Sequence, residues 1–194
     1  MWVFAVASGS WTLLRKLPHG LHSHSATAWS HSAERDKNTL IIVSGGLSGD
    51  SSILSANPNI YVINPRDSRS TIDVIRTRGP YIPRFAHTSH VHRSRLLLVG
   101  GVAATGCVQP GVGIVDLVTG DSVELQLEAG VPAADVCLYN HGSCLHEAEG
   151  DRARIFAFGG GGNCFSFGCH FSKRCLEIDV AIAIEHANKG ENGA

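Results

Sequence analysis

Three times along this chain an apolar run closes on paired glycines: Leu40-Ile41-Ile42-Val43-Ser44-Gly45-Gly46, Leu96-Leu97-Leu98-Val99-Gly100-Gly101 and Ile155-Phe156-Ala157-Phe158-Gly159-Gly160. The glycine pairs recur at intervals of 55 and 59 residues. A histidine followed by small or hydroxylated residues precedes each run, as His24-Ser25-Ala26-Thr27, His87-Thr88-Ser89 and His141-Gly142-Ser143. An alternating apolar segment follows each: Ile60–Ile63, Gly113–Leu117 and Cys175–Val180. Short runs rich in Val, Ile and Leu between Gly, Pro, Asn and Asp read as buried strands, with almost no helical period. Paired glycines after such a strand admit positive φ and close backbone approach. A unit of about 50 residues with four strands matches one blade of a kelch-type β-propeller.

The expected fold is therefore all-β, a partial kelch-type β-propeller of about three blades of a larger one. Residues 18–180 carry the blades, residues 1–17 read as outer strands of a preceding blade, and residues 181–194 as a frayed C-terminal tail. Since propellers generally hold four to eight blades, three suggest a fragment, a truncated gene model or a piece of a longer chain. The first repeat is the weakest. Pro18 stands six residues before His24 whereas Pro83 stands four before His87, so the register could slip and put His22 in the equivalent place. Residues 31–38 read as a polar loop insertion.

Composition narrows the function classes. With 194 residues, 43% of them hydrophobic and 17% charged, the chain can bury the core of one ordinary domain. A formal net charge of -1 excludes a globally basic nucleic-acid binder, though not a local patch. No apolar run reaches the roughly 18 residues that span a bilayer, and the apolar start Met1–Ala7 lacks a basic n-region, so neither membrane nor secretory signal is expected. The six cysteines, with no C-x-x-C pair, read as reduced thiols packed as small hydrophobes in a cytoplasmic or nuclear protein.

Some stretches are more specific than a generic blade. They are Phe156–Phe171, Pro83-Arg84-Phe85-Ala86-His87-Thr88-Ser89-His90, Leu96–Val102 and Tyr139-Asn140-His141. Over roughly residues 20–180 the chain resembles the C-terminal kelch region of the tRNA wybutosine-synthesising protein 4 (leucine carboxyl methyltransferase 2) family. The resemblance implies a propeller joined to an N-terminal S-adenosylmethionine-dependent methyltransferase domain. The family it points to methylates and methoxycarbonylates the wybutosine precursor beside the anticodon of phenylalanine tRNA. It also implies two partners, phenylalanine tRNA and the methyltransferase domain, with S-adenosylmethionine expected in that missing domain. No stretch here matches its cofactor motif, so no catalytic residue carries over. A stand-alone kelch interaction module and a non-functional truncated product remain the alternatives.

Few residues invite chemistry of their own. The glycine run 159–162 fails the G-x-G-x-x-G spacing, with Cys164 or Phe165 at its last place, and reads as a blade turn. His19-x-x-His22-x-His24 and His87-x-x-His90-x-His92 could converge only in part on a strand, so no metal ligand is assigned. Cys164 or Cys169 beside His170 lacks an orienting third group. His24, His87 and His141, with Arg84 beside them, are expected to bond blade loops while the other histidines are exposed. They join Gly45, Gly46, Gly100, Gly101, Gly159 and Gly160 as structural blade residues. Charge is uneven: residues 66–95 hold seven Arg against Asp67 and Asp73, and residues 116–151 hold eight acidic residues and no Lys or Arg. Arg76, Arg78, Arg84, Arg93 and Arg95 are thus candidate contacts to tRNA phosphates. Phe165 and Phe167, alternating with Phe171, are candidate contacts to a base or a partner domain.

Overall fold

The computed structural model describes residues 2–13, 16–30, 39–49, 55–66, 72–103, 110–127, 138–148, 152–164, 168–181 and 184. β1 (Trp2–Ala5) and β2 (Ser10–Leu13) pair with each other as a hairpin. β3 (Ser25–Ser30) and β4 (Thr39–Ser44) are followed by a short pair, β5 (Leu47–Ser48) and β6 (Ser55–Ala56), then by β7 (Ile60–Ile63) and β8 (Asp73–Ile75). The second repeat runs β9 (Arg84–Phe85), β10 (Thr88–His92), β11 (Arg95–Val99), β12 (Val102–Ala103), β13 (Val112–Asp116) and β14 (Ser122–Leu125). The third runs β15 (Gly142–Glu147), β16 (Ala153–Phe158), β17 (Gly161–Cys164), β18 (Gly168–Phe171) and β19 (Leu176–Asp179). Three antiparallel meanders result: β3-β4-β7-β8, β10-β11-β13-β14 and β15-β16-β19.

The sheets meet through their first strands, β3 against β10 and β10 against β15. Strand alternation then explains how the second sheet serves two neighbours. Leu96, Leu98 and Val115 face the first sheet and pack with Trp29, Ile42 and Ile60. Leu97, Val99, Val112 and Ile114 face the third and pack with Ala153, Ile155 and Ala157. This is why the run from Leu96 to Val99 has no polar residue. Val43, Tyr61 and Ile63 on the outer face of the first sheet pack with Leu17 and Leu21. The β1–β2 hairpin puts Trp2, Phe4, Trp11 and Leu13 on one exposed face, with Phe4 and Trp11 ring centroids 4.9 Å apart.

The paired glycines hold the corners between sheets. All six have positive φ, 61° and 88° at Gly45 and Gly46, 61° and 95° at Gly100 and Gly101, 66° and 100° at Gly159 and Gly160. Space differs among them. A Cβ on Gly45 would stand 2.3 Å from the Arg84 carbonyl oxygen, and one on Gly100 2.1 Å from that of Leu138, whereas Gly159 has nothing within 4 Å. The residue before the histidine of each repeat continues the theme without glycine: Ser23, Ala86 and Asn140 have φ of 55°, 56° and 51°. Their backbones link in series, Ala86 N–H to Ser23 C=O and Asn140 N–H to Ala86 C=O, both at 2.9 Å. This fixes the first-repeat register on His24 and not His22.

Gly159→Ala should lose about 1–2 kcal/mol, the left-handed penalty alone. Gly100→Ala should lose clearly more, because its Cβ also collides with backbone. Urea denaturation of both variants checks this, and equal losses would contradict the corner geometry.

Candidate functional site

The densest polar cluster lies at the joint between the first and second sheets. Arg84 is fully buried, an arginine inside an apolar core. Its Nε donates to Ile82 C=O at 3.0 Å and Nη1 to Gly100 C=O at 3.2 Å, while Nη2 pairs with Glu124 Oε2. Glu124 Oε1 in turn accepts the Gly111 N–H at 3.0 Å. Room for the guanidinium comes from Gly113, opposite Leu98 on β11, where a Cβ would stand 3.1 Å from Nη2. The backbone carbonyl of Arg84 accepts the Gly46 N–H of the first sheet at 2.9 Å. One residue thus ties both glycine corners. Burial raises the Glu124 carboxyl above its usual range, while Arg84 and the Gly111 N–H pull it back. Burial also pushes the nearby Tyr81 phenol up to about 12.

A ladder of imidazoles and hydroxyls crosses between the first strands. His87 Nε2 bonds Ser25 Oγ at 2.7 Å and approaches Ser44 Oγ at 3.4 Å. His141 makes the same contact one sheet on, its Nε2 2.9 Å from Thr88 Oγ1. Ser143 Oγ donates to Thr88 Oγ1 at 2.6 Å and lies 2.6 Å from His90 Nε2. His92 Nδ1 meets Glu147 Oε1 at 3.0 Å. Burial, then Arg84, holds the His87 imidazole down at about 3, and burial lowers His90 and His141. Neutral, weakly basic rings bonded to hydroxyls make a joint between sheets and a poor general base.

The residues singled out from sequence scatter. Arg76, Arg78 and Arg93 are exposed and Arg95 is half-buried. They gather where the turn 93–94 lies beside 117–121, since Leu117 N–H bonds Ser94 C=O and Arg78 N–H bonds Gly120 C=O, both at 2.8 Å. Asp116 and Asp121 share that end. Asp116 faces Arg95 across β13–β11, and its Oδ1 accepts Val118 and Thr119 N–H. Arg84 is internal and does not join this face. Phe165 and Phe167 lie outside the described residues, and Phe171 is exposed. His24 is exposed, but His90 and His92 are not, because they bond the next sheet rather than solvent. Cys144 and Cys175 are exposed free thiols, so the expectation of packed cysteines fails for these two.

Among the described residues no three His, Cys, Asp or Glu side chains are placed to hold a metal ion. The glycine run 159–162 leads into β17, paired with β18, and not into a helix N-terminus, so it does not fit a nucleotide cofactor. No helix among the described residues is long and apolar enough to cross a membrane.

Comparison with known proteins supplies what this geometry lacks. No family model matches the sequence. The tRNA wybutosine-synthesizing protein 4 of Rattus norvegicus is 35% identical over 164 residues, 84% of this chain and 22% of the rat protein. The protein of the same name from Homo sapiens is 32% identical over 166 residues, 86% of this chain and 22% of its own length. The chain is related to tRNA wybutosine-synthesizing protein 4. It spans about a fifth of the length of these wybutosine-synthesizing relatives. The matched span is long enough to include most of the three sheets, and with them the Arg84–Glu124 joint would have its place in the shared part.

Two outcomes follow. Arg84→Met or Glu124→Gln should each cost about 3–5 kcal/mol by stranding a buried partner, and Arg84→Met with Glu124→Leu should recover much of that loss. Additive losses in denaturant would rule out coupling. His87 in the folded chain has its pKa below 6.5, so the unfolded state binds the proton more readily. The stability it confers is whole above pH 6.5 and is lost as pH falls toward about 3. Between pH 7 and pH 4 the loss should be roughly 3 kcal/mol, and His87→Asn should flatten that part of the profile.

Proposed function

We propose that the three sheets are blades of a kelch-type propeller and that this chain is the propeller portion of a wybutosine-synthesising tRNA methyltransferase. The observation that carries the reading is the 164-residue match to a protein named for wybutosine synthesis. The repeat of meanders that approach each other through their first strands supports the propeller part. In this reading S-adenosylmethionine and the methyl-group chemistry belong to a methyltransferase domain that these residues do not form. β1 and β2 are the outer strands of a preceding blade. The propeller helps to hold phenylalanine tRNA, the basic turn end formed by Arg76, Arg78, Arg93 and Arg95 meeting its phosphates. The two aspartates there limit the field, and the Asp116 carboxylate is already engaged by backbone N–H groups.

Deleting the locus should remove wybutosine from phenylalanine tRNA and accumulate its unmethylated precursor, as read by nucleoside mass spectrometry. An unchanged nucleoside profile would favour a stand-alone interaction module. For the isolated chain, replacing the four arginines by Gln should lower the slope of log affinity for tRNA against log salt by roughly 3. An unchanged slope would remove the turn end from the interface.

A further inference from the structure

Opposite charges stand side by side on the turn end without pairing. Residues 76–79, which lead from the first sheet to the second, run against the turn between β13 and β14. The Arg78 N–H donates to Gly120 C=O at 2.8 Å. The Arg78 C=O accepts both the Ser122 N–H at 2.8 Å and the Ser122 hydroxyl at 3.0 Å. Approach is close, since a Cβ on Gly120 would stand 2.5 Å from the Arg76 carbonyl oxygen. Arg78 and Asp121 thereby become partners in a parallel bridge. Bridged neighbours lie about 4.8 Å apart, well within the reach of an arginine, so an ion pair would be the ordinary outcome.

No ion pair joins them. Asp121 Oδ2 accepts the Thr119 hydroxyl at 2.6 Å, and the Asp121 N–H donates back to the same hydroxyl oxygen at 3.2 Å. Asp116, the other carboxylate at this end, accepts the Val118 and Thr119 N–H groups on its Oδ1. Arg76 and Arg78 are exposed with Thr77 half-buried between them, so the two arginines share the outward side of an extended segment. Among the described residues no carboxylate meets either guanidinium. Thr119 is itself exposed, so its hydroxyl serves no packing need.

We propose that Thr119 is a positioning residue for tRNA binding: its hydroxyl keeps the Asp121 carboxylate on the turn and so leaves the Arg78 guanidinium open to a backbone phosphate. The inference rests on the reading of this turn end as a tRNA contact. A phosphate and a released Asp121 would draw on the same guanidinium. Asp121 would compete as a tethered anion, whereas each phosphate must arrive from solution. An exposed arginine–carboxylate pair is weak, so one short hydroxyl bond within the turn suffices to hold Asp121 away. Ser122 and Gly120 act on the other partner, fixing the Arg78 backbone through its C=O and N–H.

Binding of unmodified phenylalanine tRNA across a salt series tests it. Thr119→Val keeps the side-chain shape and removes the hydroxyl. It should lower the slope of log affinity against log salt by about 1, the loss of one phosphate contact. Adding Asp121→Asn to Thr119→Val should restore the slope, and Thr119→Ser should keep it. Asp121→Asn alone should leave it unchanged. Arg78→Gln should lower it by about 1, with no further fall when Thr119→Val is added. A parental slope in Thr119→Val beside a lowered one in Arg78→Gln would overturn the proposal and leave the tRNA reading standing. So would a lowered Thr119→Val slope that Asp121→Asn does not restore. If Arg78→Gln also leaves the slope unchanged, tRNA does not meet Arg78 and the proposal falls with that contact.

Discussion

Close backbone approach at the corner between sheets is the constraint on which the rest depends. Two N–H to C=O bonds per junction, one from a glycine and one from a residue with positive φ, hold neighbouring first strands together. Such approach leaves no room for a Cβ on the inner glycine, so side-chain packing begins farther out along the strands. Everything else follows that spacing. Leucines of the second sheet divide between two neighbours, and His87 and His141, just ahead of β10 and β15, reach hydroxyls of the sheet before them.

The corner was legible because it is written in local sequence. A pair of glycines after an apolar run is a short-range signal, and three copies of it set the strand order and the number of sheets. The left-handed residues Ser23, Ala86 and Asn140 were not legible, since serine, alanine and asparagine carry no common mark. They adopt positive φ because the series of bonds between sheets requires it. That series also decides between His22 and His24, which proline spacing left open.

Arg84 shows where local reading ends. In sequence it belongs to a run of arginines and so reads as part of a basic surface. Its partner Glu124 is 40 residues away, in a stretch that reads as acidic surface. Neither charge signals burial alone; only the pairing of β13 with β11 and β14 brings them together. The histidines mislead in the same way. His90 and His92 alternate with Val91 as solvent-facing strand residues would, yet the third sheet lies against them, and its Ser143 and Glu147 meet their rings. A joint made of neutral imidazoles and hydroxyls favours one arrangement of the sheets. Such rigidity holds the neighbouring sheets in register, in a chain that matches 22% of the length of relatives about four times as long.

Gly113 carries a consequence for how such a chain can change over generations. It stands between the apolar Val112 and Ile114, and the gap it leaves is filled by the guanidinium of a residue 29 positions earlier, which is neutralised by one 11 positions later. Any single step away from this trio strands a charge or collides with one. Drift at positions 84, 113 and 124 is therefore expected to be concerted, with lineages holding either the whole trio or a wholly apolar replacement.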